Sequence, residues 1–458
     1  MSVSHVHDSR SVVTGESGVF SGTDVAGVGK LVEMLGGVAD PRKPRGVRHR
    51  IGAVLAVTVF AVLAGARNFR EAGDRVADLP QELLALAGCR LHPLTGRYVV
   101  PSEPTIRRVA HGIDADAADQ QVCRWMRERA AAVAVAMTSA AAPAGDHGLI
   151  GVAMDGKTVR NTIAPGGPEG SEVKLFSAML HSEAIVIAQL RVPDGTNEIT
   201  QVEALLTGID LTGVVITGDA AHAQHSTATY LTRERGGDYA LTVKGNQPTL
   251  LAQTTAALPN AASGTEHHVT EDHGKGRIVR RSIWVSAAIG VDFPGAAQVF
   301  RIRRDTFDHK GNRLSKEVVH GVTSLTAALA GPEVIARFIR QHWGIENKIH
   351  WVRDVAYRED HQHAYSGSGA HTMAILRNLA LGLLRLAGIT QITRTLQRIA
   401  ADRTRIMPIL AAATSRNRLT WRPPGGQQER TGWLLYPRCA RGRCVSLPPG
   451  GCFPVLCA

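Results

Sequence analysis

The chain has 458 residues, 44% of them hydrophobic and 20% charged, which is ordinary globular material for two or three domains with cores. Its net charge of +12 exceeds what an enzyme of small metabolites needs. A phosphate-rich partner accounts for that excess through counterion release, and a solvated basic surface is the alternative. The longest apolar run, residues 51–66, has 16 residues, short of the roughly 20 that span a bilayer, and the start MSVSHVHDSR lacks the pattern of a secretory signal, so no membrane partner is expected.

Residues 1–28 are rich in Ser, Gly and Val and read as disordered. A short helix over 29–39 is followed by DPRKPRGVRHR (40–50), a Pro-broken basic stretch that is either a DNA-backbone contact or a solvated linker. From 51 to about 140 the pattern is helical, with the apolar run as a buried helix and Ser102 in a candidate N-cap region, so 29–141 forms an α-helical domain. APAGDHG (142–148) is a linker, and Cys89 and Cys123 read as reduced core thiols.

The period then changes. GLIGVAMDGKTVR (148–160) is an apolar strand that ends on Asp155, and VKLFSAMLH (173–181) and AIVIAQLRV (184–192) form a hairpin across Ser182 and Glu183. Asn197 or Thr196 caps a helix, EITQVEALLTGI. GVVITGDA (213–220) is a fourth strand carrying Asp219, and a helix closed by Gly236 and Gly237 leads to a fifth strand, DYALTVKG (238–245). The order β-β-β-α-β-α-β predicts a mixed α/β sheet. Residues from about 248 to 330 read as a β-rich insertion of three strand-like pieces, with a turn at Asp308–Asn312. Pro332 opens a long helix, PEVIARFIRQHWGIENKIHWVRDVAY, and another covers SGAHTMAILRNLALGLLRLAG. From about Arg418 no period survives; the C-x4-C-x7-C-x4-C spacing of Cys439, Cys444, Cys452 and Cys457 is not that of a zinc ribbon, so 418–458 reads as a disordered or out-of-frame tail, with a small zinc knob as the alternative.

HWGIENKIHWVRD (342–354) carries the chemistry. At 100° per residue Phe338, Ile345, Ile349, Val352 and Ala356 form an apolar stripe, and Glu346 falls at the rim of that buried face, where a carboxylate needs a partner or a metal. A zinc site from His342, Glu346 and His350 would span about 12 Å, and a structural pairing with Arg353 or a histidine is a second option. The third joins Glu346 to the strand-end aspartates Asp155 and Asp219 at one sheet edge. Three oxygen donors suit Mg²⁺ or Mn²⁺, and two such ions can drive in-line displacement at a phosphodiester.

The strings AMDGKTVR, TNEI, VVITGDAAHAQ, GGDYALTVKGNQP and HWGIENKIHWVRDVAYRED resemble those of the ISAs1-type (H-repeat-associated) DDE transposases over about residues 30–415. The resemblance implies a ribonuclease H-like catalytic core over 148–415, with the β-rich block as an insertion and the helical part as an associated N-terminal domain. It also implies Asp155, Asp219 and Glu346 as metal-binding catalytic carboxylates, Mg²⁺ (or Mn²⁺) as cofactor, and double-stranded DNA at element ends and target as partner. A homodimer on the DNA and a location at the bacterial nucleoid in the cytoplasm are expected with it. The implied activity is DNA cleavage and strand transfer; an inactive DNA-binding descendant and a metal-dependent nuclease without strand transfer are the alternatives. The pattern Y-x2-R-x3-E-x6-K of the wider group is replaced here by Ile339, His342 and Arg353 around Glu346. His342, Asn347 and Arg353 are therefore only candidate phosphate contacts, and Arg353 has a salt bridge to Glu346 or Asp360 as its alternative. Lys157, Lys244, Asn246 and Gln247 are further candidate DNA contacts; for the lysines the alternative is solvation. His222 and Gln224 position DNA or start the next helix, and Trp343 and Trp351 stack bases or pack against a neighbouring domain.

Overall fold

The computed structural model describes residues 22–137, 148–163, 172–258, 266–274 and 276–414. The expectations for 1–21, for most of the linker and for the cysteine-bearing tail lie outside them. The first helix, α1 (Gly22–Gly36), begins inside the stretch expected to be disordered and ends before residue 39. It leads to α2 (Ile51–Leu63), whose thirteen residues are all buried; a helix apolar on every side has no face to give to water. Then come α3 (Phe69–Ala77), α4 (Gln81–Leu86), a two-residue ladder of β1 (Arg90–Leu91) on β2 (Tyr98–Val99), α5 (Glu103–Gly112) and α6 (Ala115–Met137). Asn68 caps α3 by accepting from the Glu71 amide, whereas Ser102 precedes α5 without a side-chain cap bond.

The sheet follows, with β3 (Ile150–Val159), β4 (Val173–Leu180), β5 (Val186–Arg191), α7 (Val202–Leu206), β6 (Val214–Gly218), α8 (His225–Thr229) and β7 (Asp238–Val243) in the expected order. These strands lie side by side as β5-β4-β3-β6-β7, with β3, β4 and β5 antiparallel and β6 and β7 parallel to β3. A helix the sequence does not signal, α9 (Pro248–Ala256), comes next. The block beyond it holds four strands, β8 (Glu266–Gly274), β9 (Arg277–Ala287), β10 (Gln298–Asp308) and β11 (Arg313–Thr323). They prolong the same sheet, because β11 pairs antiparallel with β7, giving nine strands. The Asp308–Asn312 turn forms as expected, with the Asp308 carboxylate accepting from the amides of Lys310 and Asn312.

Five helices complete the order: α10 (Pro332–His342), α11 (Trp351–Tyr357), α12 (Gly369–Leu386), α13 (Ile392–Ala401) and α14 (Ile406–Thr414). The helix expected to run unbroken from Pro332 is interrupted by a π-helical turn, Ile345–His350. Helices α12 and α14 pack with α1, α2, α5 and α6, so chain from both ends of the sheet builds one helical body. A buried polar network docks it on the sheet. Asp119 of α6 accepts from Gln189 of β5 (2.7 Å) and pairs with His371 of α12 (2.8 Å), while Asn378 of α12 and Ser177 of β4 both donate to Gln189. Each buried polar atom so satisfied escapes a desolvation cost of about 1–3 kcal/mol. Cys89 and Cys123 are buried free thiols. No described helix is long and apolar enough to cross a membrane.

Candidate active site

Strand register brings two carboxylates together. Ala153 of β3 stands opposite Thr217 of the parallel neighbour β6, so Asp155 and Asp219, each two positions further on, come side by side; Asp219 lies just past β6, whereas β3 runs on to Val159, so Asp155 does not end its strand as expected. Asp219 accepts from the Ala221 amide at 2.9 Å and so caps the tight turn that follows β6. Asp155 meets Nδ1 of His350 at 3.4 Å. Burial pushes the Asp155 carboxyl up, but the hydrogen bond and charge of His350 and the charge of His342 outweigh it and hold it below its ordinary value.

The face under α10 is fixed by a buried hydroxyl. Thr217 Oγ1 lies 3.0 Å from His181 Nε2 and 3.1 Å from His342 Nδ1. Burial lowers His181 to about 3 and lowers His342 as well, against the raising effect of Asp155 and Asp219. His222, just after Asp219, is buried and stacks on Phe176 at 5.1 Å.

A third carboxylate joins the pair, and the sequence does not single it out. Glu198 opens the short turn after β5, where Asn197 accepts from the Thr200 amide. Its carboxylate lies over Gly156, where a Cβ would collide with it, and 4.0 Å from His222 Nε2. Burial first, then the negative charges of Asp155 and Asp219, raise Glu198 to about 7. The only sequence signal was its place in the TNEI block. Glu346, in contrast, stands exposed on the π-helical turn, not at the rim of the buried face. The apolar stripe itself holds, with Ile345, Ile349 and Val352 buried; only Glu346 beside it lies in the open. The turn still packs against β3, and His350, four residues on, reaches Asp155.

Among the described residues no three His, Cys, Asp or Glu side chains form a ready ligand set for a metal ion. The donor chemistry nonetheless suits a hard divalent cation: like-charged carboxylates crowd one edge, all with oxygen donors. Mg²⁺ is commonly held by one or two protein carboxylates plus waters and substrate phosphate oxygens, so Asp155 and Asp219 fit it without a closed cage.

Beside Asp219 a cavity of about 720 Å³ opens between α10 and strands β7–β11. Lys244, Arg281, Arg304, Arg337, Arg340 and Lys348 line it, against the acids Asp219, Glu317 and Glu333. Part of that charge is matched internally: Arg340 and Arg281 pair with Asp272, and Arg304 pairs with Glu317 while lying over the Trp343 ring at 5.1 Å. Trp343 and Trp351 are both exposed, so neither packs into a core.

The other expected contacts divide. Lys244 and Asn347 are exposed at the cavity. Asn246 donates to the Ala220 carbonyl (2.8 Å) and Gln247 to Gln224 (3.0 Å), so both brace the loop behind Asp219. Three expectations need correction. Lys157 projects to the same side of β3 as Asp155, lies under α11, and gives its ammonium to Asp354 (2.8 Å) and Asp360 (3.5 Å). Arg353 is fully buried and pairs with Glu359 at 2.7 Å, not with Glu346, Asp360 or solvent. His342 is buried and its Nδ1 is taken up by the Thr217 hydroxyl, so the ring is held within the fold.

Residues 146–383 match the family described as the transposase DDE domain, and residues 32–126 match the family described as DDE_Tnp_1-associated. The Escherichia coli (strain K12) protein YbfL is 26% identical over 406 residues, covering 84% of this chain and 98% of YbfL. The "H repeat-associated putative transposase YhhI" of the same organism is 25% identical with the same coverage. Among solved structures, a piggyBac transposase synaptic complex with hairpin DNA covers 89% of this chain and 85% of its own at 10% identity, with a TM-score of 0.33, too low to assign a fold.

Proposed function

The chain belongs to the transposase DDE-domain family, and from that premise we propose that it is an insertion-sequence transposase, acting on double-stranded DNA by metal-dependent cleavage and strand transfer. Its relatives include H-repeat-associated proteins, in keeping with the ISAs1-type strings in its sequence. The observation that carries the reading is the register of β3 on β6, which sets Asp155 beside Asp219, itself a lining residue of a cavity rich in lysine and arginine. Five strands in the order β5-β4-β3-β6-β7 support a ribonuclease H-like core, with β8–β11 as the insertion that widens the cavity wall.

In this reading Asp155 and Asp219 hold Mg²⁺ or Mn²⁺, and Glu346 completes the set from the π-helical turn when DNA is seated. The ion, when bound, supplies Lewis-acid activation of a water or a 3′-hydroxyl and neutralises charge at the phosphodiester. The protein's own part is placement. His350 orients the Asp155 carboxylate, the Ala221 amide orients Asp219, and the Thr217 hydroxyl fixes His342 beneath them. Lys244 and Asn347 meet the DNA at the cavity. The loop braced by Asn246 and Gln247 holds Lys244 there.

The test is purified protein with labelled duplexes carrying the inverted repeats that flank its own gene. Mg²⁺-dependent nicking at the repeat ends, followed by joining of the freed 3′ ends to a second duplex, is expected. Nicking without joining would reduce the protein to a nuclease, and binding without nicking would leave only a DNA-binding protein.

A further inference from the structure

The basic segment between α1 and α2 lies outside the site described above and has no internal use for most of its charge. Its backbone is pinned. Arg42 chelates the Asp40 carboxylate (2.7 Å and 2.8 Å) and donates to the His49 carbonyl at 2.8 Å, so one guanidinium closes residues 40–49 into a loop. Pro41 packs on Gly112 at the end of α5, His49 is buried, and Arg50 starts the fully buried α2.

On this pinned frame Lys43, Arg45, Arg48 and Arg50 are all exposed, and no described carboxylate pairs with any of them. Arg90, on the β1–β2 ladder, is exposed as well, and after burial itself its charge joins those of Arg42 and Arg48 in lowering the His49 imidazole. The first turn of α2 has no acidic residue, so the positive helix end adds to the same field. Like charges held together with nothing to neutralise them repel one another. A rigid loop that keeps them costs stability unless a polyanion relieves it.

We propose that the loop of residues 40–50, with Arg90 beside it, is a second duplex-DNA surface, which grips the phosphate backbone through Lys43, Arg45, Arg48 and Arg50 independently of the carboxylate site. A backbone clamp fits better than base reading. The loop offers point charges on exposed side chains, without the helix or ribbon that enters a groove. The partner follows from the proposed function, which already requires a duplex, but the patch itself does not depend on cleavage.

The experiment uses the full chain with a fluorescent duplex of arbitrary sequence, in EDTA, titrated across a range of NaCl. For the variant Lys43→Ala/Arg45→Ala/Arg48→Ala/Arg50→Ala, the slope of log affinity against log salt should fall by about 3–4, since each phosphate neutralised by the protein adds about 0.9 to it. The charge-keeping variant Arg45→Lys/Arg48→Lys/Arg50→Lys should retain the wild-type slope, which a merely structural role for the arginines would not give. Circular dichroism and a melting curve on both variants report folding. If the folded alanine variant keeps the wild-type slope, the patch is not a DNA surface. An equal fall in the lysine variant also overturns the proposal, as does displacement by poly-glutamate at concentrations where competitor duplex fails to displace. The two readings fail separately: wild type that binds duplex through this loop but never nicks element ends overturns the transposase reading alone.

Discussion

Glu198 is a third carboxylate beside Asp155 and Asp219. It sits where Asp155 and Asp219 push its carboxyl upward, and it can sit there because residue 156 has no side chain. Gly156→Ala would drive a methyl into that carboxylate. Cleavage of element ends should then fall by about 10- to 100-fold, in line with the cost of misplacing catalytic groups by about 1 Å, while the melting temperature changes little. Unchanged turnover in that variant would place Glu198 outside the chemistry. At the cavity, Lys244→Ala should reduce the salt slope of end binding by about one phosphate's worth; an unaltered slope would return Lys244 to solvent. Neither Lys157 nor Arg353 belongs in such a series, because both charges are satisfied inside the fold.

At the scale of elements, the segment from α11 to α12 is held by one buried carboxylate. Glu359 accepts from Arg353 (2.8 Å) and Arg377 (2.8 Å), all three without exposure. Glu359→Gln leaves two buried guanidinium groups short of a counter-charge and should cost about 3–5 kcal/mol in urea unfolding. The pH dependence follows from the same contact. Burial alone would raise Glu359, but Arg353 and Arg377 outweigh it and hold it at about 2, below its ordinary 4.5. A depressed folded value means that the stabilisation is complete above pH 4.5 and is lost progressively as pH falls toward 2. The stability gap between wild type and Glu359→Gln should therefore shrink over that window, and a gap that stays constant would disprove the assignment.

This scale also shows what could be read from residues alone. The strand order through β7 was legible because apolar runs bounded by turns keep a period of two whatever they pack on. The place of Asp219 just past β6 was legible with it, but that of Asp155 was not: it was read as the end of a strand that runs on to Val159. The π-helical turn was not, since its residues form an ordinary helical stripe and only tertiary packing lengthens the turn. Strand β8, EHHVTEDHG, was missed because an edge strand can be polar throughout. The fates of Lys157 and Arg353 were decided by Asp354, Asp360 and Glu359, acids far along the chain from Lys157 or beyond the helix from Arg353.

Among the described residues, the sheet, the cavity beside Asp219 and the helical body pack together. Strands β8–β11 extend the sheet that carries Asp155 instead of forming a separate lobe, so the cavity wall and that carboxylate belong to one sheet. The helical body is tied to that frame through Asp119, Gln189, His371 and Asn378. The central claim is that Asp155, Asp219 and Glu346 act together as the metal-binding set. The most direct test is a Mg²⁺-dependent assay of end cleavage and joining with Asp155→Asn, Asp219→Asn and Glu346→Gln, alongside duplex binding in EDTA. Each variant should bind DNA as the wild type does and lose both cleavage and joining. Wild-type cleavage by any one of the three would remove that residue from the site and contradict the account.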